Sequence, residues 1–236
     1  MNQKINRTIP FHESYPCAYF SDGRTTSVEC IIADAEQARS FHIYLAQGYR
    51  RVGNVFYRNV CERCAACRPL RVVIDRFTLS KSQKRTMRRN RDIRIEVTSP
   101  SLSAEKVALY ERYLNSKHAE REKNPIRNLE HLLALHYGYP RIMEMDYYDG
   151  DRLIAVGIVD EAIDALSSNY FYYDTDYLER RPGVFSAINE ILFAHELGKR
   201  YYYIGFYIEE TEKMSYKKFF RPNQVLENGE WQEFIE

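Results

Sequence analysis

The sequence lacks the features of secreted and membrane-spanning proteins. Residues 1–10 contain no apolar core of the kind that a signal peptide needs, and no stretch approaches the roughly 18 consecutive apolar residues that span a bilayer. An excess of one charge is also lacking, because 34 lysines and arginines nearly cancel 33 aspartates and glutamates. We therefore expect a soluble, cytoplasmic protein without a membrane partner, in which any attraction to a polyanion arises from local clusters of charge.

Several kinds of active site are also missing from the sequence. There is no Walker loop, no Ser/His/Asp order and no zinc-hydrolase motif. The histidines His118, His131 and His136 lie on predicted helices without a partner at metal-ligand spacing, and we interpret them as structural. Five cysteines are an odd number and fit poorly with a secreted disulfide framework, which leaves reduced thiols or metal ligands.

The chain is long enough for one large core or two small ones, since its 236 residues include 44% hydrophobic side chains. Periodicity and charge change together near Ser80, where Gln83 completes a capping box and a basic segment begins. We place a domain boundary there. It separates a smaller, cysteine-containing N-terminal domain over residues 1–79 from a second domain over residues 80–236.

Apolar spacing predicts a mixed α/β (α+β) fold. Asp34 and Gln37 form a capping box before an N-terminal helix that ends at Gly48. The second domain is predicted to run helices, antiparallel strands, helix, strand, helix, an order typical of acetyltransferase-type (GNAT) folds, in which a splayed pair of strands forms the acyl-donor cleft. The predicted strands are 52–58, 70–77, 93–97, 141–148, 152–160, 166–173 and 201–206; helices are predicted at 104–118, 126–137, 184–197 and 212–220, with a final hairpin at 228–229.

Three cysteines, Cys61, Cys64 and Cys67, have C-x2-C-x2-C spacing between two predicted strands. This spacing can turn several sulfur atoms toward zinc or an iron–sulfur cluster. A fourth ligand is required, and Cys17 is the better candidate, because Cys30 lies among isoleucines and resembles a small buried apolar residue. The alternative is that all five are ordinary reduced cysteines.

A basic segment follows the predicted boundary, with seven basic residues in the fourteen positions from Lys81 to Arg94 and Asp92 as the only acid. Several of them recur on one face of a helix, which favours contact with phosphates over recognition of bases. A solvated surface helix is the alternative interpretation. The candidate polyanion-binding residues are Lys81, Lys84, Arg85, Arg88, Arg89 and Arg91.

The segment from Arg180 to Phe185 half-matches the acetyltransferase signature [RQ]-x-x-G-x-[GA], whose backbone amides hold the pyrophosphate of coenzyme A. Phe185 stands where the signature has a small residue that lets the pyrophosphate approach. We therefore expect no normal coenzyme A site at this helix start.

Five ordered segments together resemble a known family: 16–24, 48–53, 61–71 with 80–85, 172–177, and 203–217. They are similar to the aminoacyl-tRNA–protein transferases, which include bacterial aspartate/glutamate leucyltransferases and eukaryotic arginyl-tRNA–protein transferases. This chain departs from many relatives at three places. Phe20 stands where the eukaryotic members have a second cysteine. Many relatives have a cysteine in place of Thr211, and a Ser-Leu-Gly segment in place of Arg181-Pro182-Gly183.

The resemblance implies transfer of an amino acid from aminoacyl-tRNA to the α-amine of a protein that begins with Asp or Glu, which creates an N-degron. Leucine is the first candidate for the transferred amino acid. Aminoacyl-tRNA is then the co-substrate and protein N-termini are the partners, with no DNA partner and no cofactor required beyond a possible zinc ion or iron–sulfur cluster. Alternatives are leucyl or phenylalanyl transfer to basic N-termini, arginyl transfer, a coenzyme A-dependent N-acetyltransferase and a metal-stabilised RNA-binding module.

The resemblance also implies site residues, which fall into three groups. Glu209 is the candidate acceptor of the amine proton and Tyr207 the candidate to orient the ester or its oxyanion. The alternative for Glu209 is an exposed carboxylate at a strand end. Four basic residues are candidates to hold an acidic acceptor side chain or the terminal phosphates of tRNA: Arg24, Arg50, Arg51 and Lys217. Three aromatic residues are candidates to stack on the terminal adenine or to line the aminoacyl pocket: Tyr19, Tyr172 and Phe206. The alternatives are a surface charge or a structural ion pair for each basic residue, and a place in the core for each aromatic residue.

Overall fold

The computed structural model describes residues 11–117 and 125–234. His118, predicted to be structural, lies outside the described residues. None of the helices in the described ranges combines the length and the apolar character needed to cross a membrane.

The N-terminal part forms a four-stranded antiparallel sheet in the order β1-β2-β4-β3. Its strands are β1 (Phe11–Pro16), β2 (Thr25–Ile32), β3 (Arg50–Val52) and β4 (Val55–Asn59). The first two strands were not predicted, whereas the strand before the cysteines is confirmed. As expected, Cys30 on β2 is buried.

Two short helices, α1 (Ala35–Arg39) and α2 (Phe41–Ala46), replace the single N-terminal helix that was predicted. The predicted capping box is present, since Asp34 Oδ1 accepts from the amide of Gln37 at 2.9 Å and Gln37 Oε1 accepts from the amide of Asp34 at 2.8 Å. The break falls at Ser40, whose amide bonds to carbonyls of the last turn of α1 and closes that helix early.

The large sheet has eight strands in the order β12-β11-β5-β10-β9-β8-β7-β6. Its strands are β5 (Arg68–Val73), β6 (Ile93–Thr98), β7 (Ile142–Asp149), β8 (Arg152–Glu161), β9 (Ala165–Tyr173), β10 (Tyr201–Tyr207), β11 (Asn223–Glu227) and β12 (Glu230–Glu233). The further helices are α3 (Lys81–Arg89), α4 (Ala104–Lys117), α5 (Pro125–Tyr137), α6 (Pro182–Glu196) and α7 (Glu212–Ser215), and 3-10 segments cover Ile74–Arg76, Thr175–Arg180 and Tyr216–Phe219.

Strand β5 lies between β11 and β10 in this sheet, although it precedes the predicted domain boundary at residues 79/80. The large sheet is therefore assembled from both sides of that boundary. The boundary itself stays a prediction.

Strands β9 and β10 form the parallel pair of the sheet, and their pairing is short. Tyr201–Tyr203 of β10 pair with Ala165–Ser167 of β9, after which the two strands separate. Irregularities lie on both strands near this point: β10 shifts register against β5 between Tyr203 and Gly205, and β9 carries an extra residue, Asn169, against β8. A mixed α/β fold with a splayed parallel pair is confirmed.

Two apolar clusters cover the two faces of the large sheet. Residues of α4 and α5 such as Leu109 and Leu132 share one cluster with Phe41 and Phe56 of the N-terminal part. Ile188 and its neighbours on α6 share the other cluster with β10. Because successive side chains of a strand point to opposite faces, β9 contributes to both clusters and contacts α4 as well as α6.

Candidate active site

The candidate site lies where β9 and β10 separate. Arg50 of β3 reaches this opening from the N-terminal sheet, and its Nη1 donates to Ser167 Oγ at 2.9 Å while its Nη2 donates to the carbonyl of Ser168. Lys217 enters from the other strand, and its Nζ donates to the carbonyl of Phe206 at 2.9 Å. The two cations thus bind one backbone carbonyl on each of the separating strands.

Lys217 is buried, whereas Arg50 is half-buried. Loss of solvation, with a further contribution from the charge of Arg50, lowers the pKa of Lys217 to about 7. Within residues 11–117 and 125–234, neither cation forms an ion pair with a carboxylate. The opening therefore contains positive charge that an anionic ligand would compensate, beside an amine able to exchange a proton near neutral pH.

Gly205 lets the two cations approach β10. Its φ of +96° belongs to the left-handed region that favours glycine, and a Cβ atom here would lie 3.4 Å from Lys217 Nζ and 3.7 Å from Arg50 Nη2. Another residue at this bulge would be strained by the positive φ, and its Cβ atom would lie in van der Waals contact with both cationic groups.

Three of the predicted substrate-binding residues meet at this opening, Arg50, Lys217 and Phe206, and a fourth, Tyr19, lies within electrostatic reach of Arg50. Phe206 supplies the carbonyl that binds Lys217. Tyr19 lies within electrostatic reach of Arg50, Tyr57 and Cys67, and its ring is 38% exposed. Burial of part of its side chain raises the pKa of Tyr19, so its hydroxyl stays protonated and able to donate.

Three other predicted residues lie in the interior, and the structure gives them packing roles. Arg51 is 3% exposed and its Nη2 forms an ion pair with Asp160 Oδ1 at 2.5 Å. Tyr172 is fully buried and its hydroxyl lies 3.3 Å from His136 Nε2. Tyr207 is also fully buried, with Arg68 over its ring. All three are buried more completely than Lys217 and Phe206, and Arg51 already has a carboxylate partner, so we leave these three out of the proposed site.

Glu209 and Arg24 lie apart from the two cations, on a neighbouring cavity of about 710 Å³. The Glu209 carboxylate is exposed and lies 3.7 Å from Arg68 Nη2. Arg24 contacts Asp22 and donates to Cys64 Sγ at 3.3 Å. Phe206 lines this cavity and also supplies the carbonyl bound by Lys217, so the cavity adjoins the strand opening.

The four predicted metal ligands line the same cavity: Cys17, Cys61, Cys64 and Cys67. Among the described residues, however, no three cysteine, histidine or acidic side chains meet in an arrangement that would hold a metal ion. Burial, together with the nearby Cys17, Cys61 and Cys64, raises the pKa of Cys67 to about 12. The thiols as they lie do not fit a metal centre.

The predicted basic helix is confirmed as α3, opened by the Ser80–Gln83 capping box. All six candidate polyanion-binding residues on and after it are exposed: Lys81, Lys84, Arg85, Arg88, Arg89 and Arg91. The helix lies beside the start of α6, where Arg181 Nη1 donates to Ser82 Oγ at 2.9 Å. A basic surface therefore flanks the start of α6.

Phe185 was expected to exclude a normal coenzyme A site at the start of α6, while an anion could still lie there; its ring is buried and packs against Tyr147 in the core. The amides of Val184 and Phe185 instead both bond to the carbonyl of Arg181 at 3.0 Å. Two donors that would hold a pyrophosphate are thus already used within the first turn.

The sequence predictions missed Ser167, Ser168 and Glu190. Both serines lie on β9 at the separation point and bind Arg50, and Glu190 is a fully buried carboxylate on α6. Polar residues inside apolar segments could have indicated these three positions, because buried polar groups need partners. The segments are Leu166-Ser167-Ser168-Asn169-Tyr170 and the apolar helix around Glu190.

Comparison with known proteins gives the family. A model of the arginine-tRNA-protein transferase C terminus matches residues 105–227, and a model of the N terminus matches residues 15–85. An aspartate/glutamate leucyltransferase of Shewanella oneidensis is 35% identical over 98% of each chain, and one of Saccharophagus degradans is 31% identical over 98% of this chain and 97% of its own. Among solved structures, FemX aligns over 87% of this chain and 82% of its own, with a TM-score of 0.47 and 9% identity.

The matches span nearly the whole length of this chain and of the relatives, and they agree with the resemblance found in five sequence segments. That prediction is confirmed. The chain belongs to the arginine-tRNA-protein transferase family and is an aminoacyl-tRNA–protein transferase.

Proposed function

We propose that this enzyme transfers leucine from leucyl-tRNA to the α-amine of proteins that begin with Asp or Glu. The names of its relatives from Shewanella and Saccharophagus support leucine as the donor residue and acidic acceptors. The observation that carries the proposal is the pair of cations, Arg50 and Lys217, at the separation of β9 and β10. A side-chain carboxylate of the acceptor matches the positive charge that the opening contains.

Arg50 is the proposed binding group for the acceptor's side-chain carboxylate. Its hydrogen bonds to Ser167 Oγ and to the Ser168 carbonyl use two of the five guanidinium N–H groups. The remaining donors are available to a carboxylate in a forked arrangement. Half-burial of Arg50 strengthens such a contact because water competes less with it.

Lys217 is the proposed acceptor of the amine proton. Its pKa of about 7 leaves a large part of the amine neutral at physiological pH. The acceptor nitrogen attacks the ester carbonyl carbon, the C–N bond forms, and the bond to the ribose oxygen of the tRNA breaks. Lys217 takes the proton that the nitrogen loses, and this proton then goes to the departing oxygen. Glu209 stays the alternative proton acceptor.

The tRNA is proposed to lie along α3 and to bring its aminoacylated end past the start of α6. The six exposed basic residues of that surface favour phosphate contacts. Tyr216 links this region to the cleft, since a Cβ atom at Gly183 would lie 3.8 Å from its hydroxyl and Lys217 is the next residue. Aminoacyl-tRNA is the only co-substrate that the proposed reaction needs, and no step passes through the cysteines.

To test this proposal, the purified protein is incubated with tRNA charged with labelled Leu, Phe or Arg and with peptides that begin with Asp, Glu, Arg, Lys or Ala. We expect label from leucyl-tRNA on the Asp and Glu peptides. Label confined to Arg or Lys peptides would overturn the proposed acceptor, and transfer only from arginyl-tRNA would overturn the proposed donor. Acetylation from acetyl-coenzyme A, or tRNA binding without transfer from any donor, would contradict the proposed reaction.

An Arg50→Met variant tests how the acceptor is recognised. We expect the KM for an Asp peptide to rise about tenfold or more, with the KM for leucyl-tRNA changed much less, because one charge-assisted contact to the acceptor is lost. Arg39→Met is the matched control, since Arg39 is exposed on α1 and forms none of the proposed contacts. Equal changes in both KM values would argue against a role in acceptor binding.

A further inference from the structure

Helix α6 buries a carboxylate behind the strand opening. Glu190 is 1% exposed, and its Oε1 accepts from Ser186 Oγ at 2.7 Å while its Oε2 accepts from the hydroxyl of Tyr202 at 2.9 Å. Tyr147 in turn donates to Ser186 Oγ at 3.2 Å, and the Ser168 side chain hydrogen-bonds to Glu190 as well. Hydroxyl groups directed at both oxygens favour the ionised carboxylate, while burial raises the pKa of Glu190.

The backbone of β8 leaves room for this carboxylate at Gly157. A Cβ atom at Gly157 would lie 3.5 Å from Glu190 Oε1 and 3.6 Å from Ser186 Oγ. These are van der Waals distances, so the carboxylate lies directly against the backbone of β8. Glu190 is therefore held from the helix and from two strands.

Ser168 connects Glu190 to the proposed site. Its side chain hydrogen-bonds to Glu190, and its backbone carbonyl accepts from Arg50. Ser168 also precedes the extra residue on β9, at the point where β9 leaves β10. The carboxylate thus fixes the segment on which Arg50 is anchored.

Glu190 also interacts with the charge of Arg50 directly. Asp160 is a second carboxylate within electrostatic reach of Arg50, but it is already paired with Arg51 at 2.5 Å. Glu190, by contrast, has no ion-pair partner within residues 11–117 and 125–234, and its ionised form would offset the positive charge at the opening.

We propose that Glu190 is a positioning residue, which holds Ser168 and Arg50 at the strand opening and offsets the charge of Arg50 beside Lys217. The role of Glu190 in aminoacyl transfer rests on the proposed function, whereas its effect on the titration of Lys217 does not. The titratable or charged groups that face Glu190 are Arg50, Tyr147, Tyr202 and Tyr216, from β3, β7, β10 and the segment after α7.

Glu190→Gln removes the negative charge and keeps the size of the side chain. With Arg50 less compensated, the charged form of Lys217 becomes less favourable, and its pKa moves further down. A packing role alone would not change the titration of a lysine on another element.

The titration of Lys217 is measured by NMR of protein labelled with 13C at the lysine Cε, with the Lys217 signal assigned by its loss in Lys217→Arg. We expect Glu190→Gln to lower the midpoint by about half a pH unit or more. Glu196→Gln is the control, because Glu196 is an exposed residue of the same helix. A midpoint equal to that of the wild type in folded Glu190→Gln would overturn the proposal.

Ser168→Ala provides a milder variant in case Glu190→Gln does not fold. It keeps the carbonyl that binds Arg50 and removes one donor that favours ionised Glu190. We expect a smaller downward shift of the Lys217 midpoint, together with a reduced kcat whose acidic limb moves to lower pH by the same amount. An unmoved midpoint in this variant would also overturn the proposal. If the wild-type enzyme transfers no amino acid, the proposed function fails, and the NMR titration still decides the role of Glu190.

Discussion

Lys217 combines the burial of a core residue with a charge that few neighbours stabilise. Nearly all of its surface is covered, its protein acceptor is the carbonyl of Phe206, and the nearest group that affects its titration is another cation, Arg50. Burial in this setting disfavours the ammonium form and lowers the pKa of Lys217 to about 7. A residue of this kind is expected to weaken the fold while serving the reaction.

Lys217→Met is expected to reduce transfer by about 100-fold or more, because no amine remains to accept the proton. Wild-type activity should rise as pH passes through about 7, the pKa at which Lys217 loses its proton. Initial rates measured between pH 5.5 and 9 check both points. Transfer by Lys217→Met at the wild-type rate would eliminate Lys217 as the proton acceptor.

Lys217→Met is also expected to increase the free energy of unfolding at pH 7 by about 1 to 3 kcal/mol, because burying a methionine does not remove a charged group from water. The folded-state pKa of Lys217 lies below its usual value, so the unfolded chain binds more protons and wild-type stability rises with pH above about 7. Urea unfolding should show a shallower pH dependence in the variant. Lys213→Met, at an exposed position of α7, is the control for both measurements.

At the scale of elements, α3 is attached to the protein by polar groups on its inner face. Gln83 Nε2 donates to the carbonyl of Phe219 at 3.2 Å, and Asn90 Nδ2 donates to the carbonyl of Arg180 at 2.9 Å. Thr86, the third buried residue of this face, also bonds to backbone. The sequence predicted this helix from its capping box and its charges. The partners of the helix were not predictable, because hydrogen bonds to backbone carbonyls of distant residues produce no periodic pattern of apolar residues along the chain.

Arg85→Glu is expected to weaken binding of aminoacyl-tRNA and to reduce the slope of log K against log salt by about 1, the loss expected for one phosphate contact. The effect should be larger at low salt than at high salt. Binding is measured by fluorescence anisotropy at several salt concentrations. Arg39→Glu makes the same change of charge on exposed α1, and equal effects of both variants would remove α3 from the tRNA surface.

For the whole molecule, the N-terminal sheet is joined to the large sheet through the two arginines of β3. Arg50 binds Ser167 and Ser168 on β9, while Arg51 pairs with Asp160 on β8. Asn169, the extra residue of β9, donates to the same Asp160 carboxylate at 3.1 Å. The attachment of the two sheets and the shape of the strand opening are thus fixed by the same short segment.

Arg51→Met is expected to destabilise the protein by about 3 to 5 kcal/mol, because a buried carboxylate loses its partner. Burial already raises the pKa of Asp160, and loss of Arg51 raises it further. Since the folded state then binds the extra proton, the loss of stability should be greater at pH 8 than at pH 5. Urea unfolding at both pH values checks this result.

Arg58→Met is the matched control, since its ion pair with Glu29 is partly exposed and its loss should change stability by about 1 kcal/mol or less. A loss for Arg51→Met no larger than for Arg58→Met would mean that the buried pair does not hold the two sheets together.

The sequence by itself determined the family, the α/β class, most helices and strands of the large sheet, the exposed basic helix and two capping boxes. These follow from local spacing of apolar, capping and charged residues, or from segments that resemble known relatives. It also placed Arg50, Lys217, Phe206 and Tyr19 in one candidate site, although no pattern along the chain brings residues 19, 50 and 217 together.

Only the tertiary structure decided which members of that site meet at the strand opening and which are buried elsewhere. Arg50 and Arg51 are neighbours in sequence with equal charge, yet one lies at the opening and the other is sealed against Asp160. Glu190 acquires its proposed role in the same way, through contacts to Ser168, Ser186 and Tyr202 that come from three different elements. Burial and pairing depend on contacts between distant segments, and those contacts form only when the two sheets pack together.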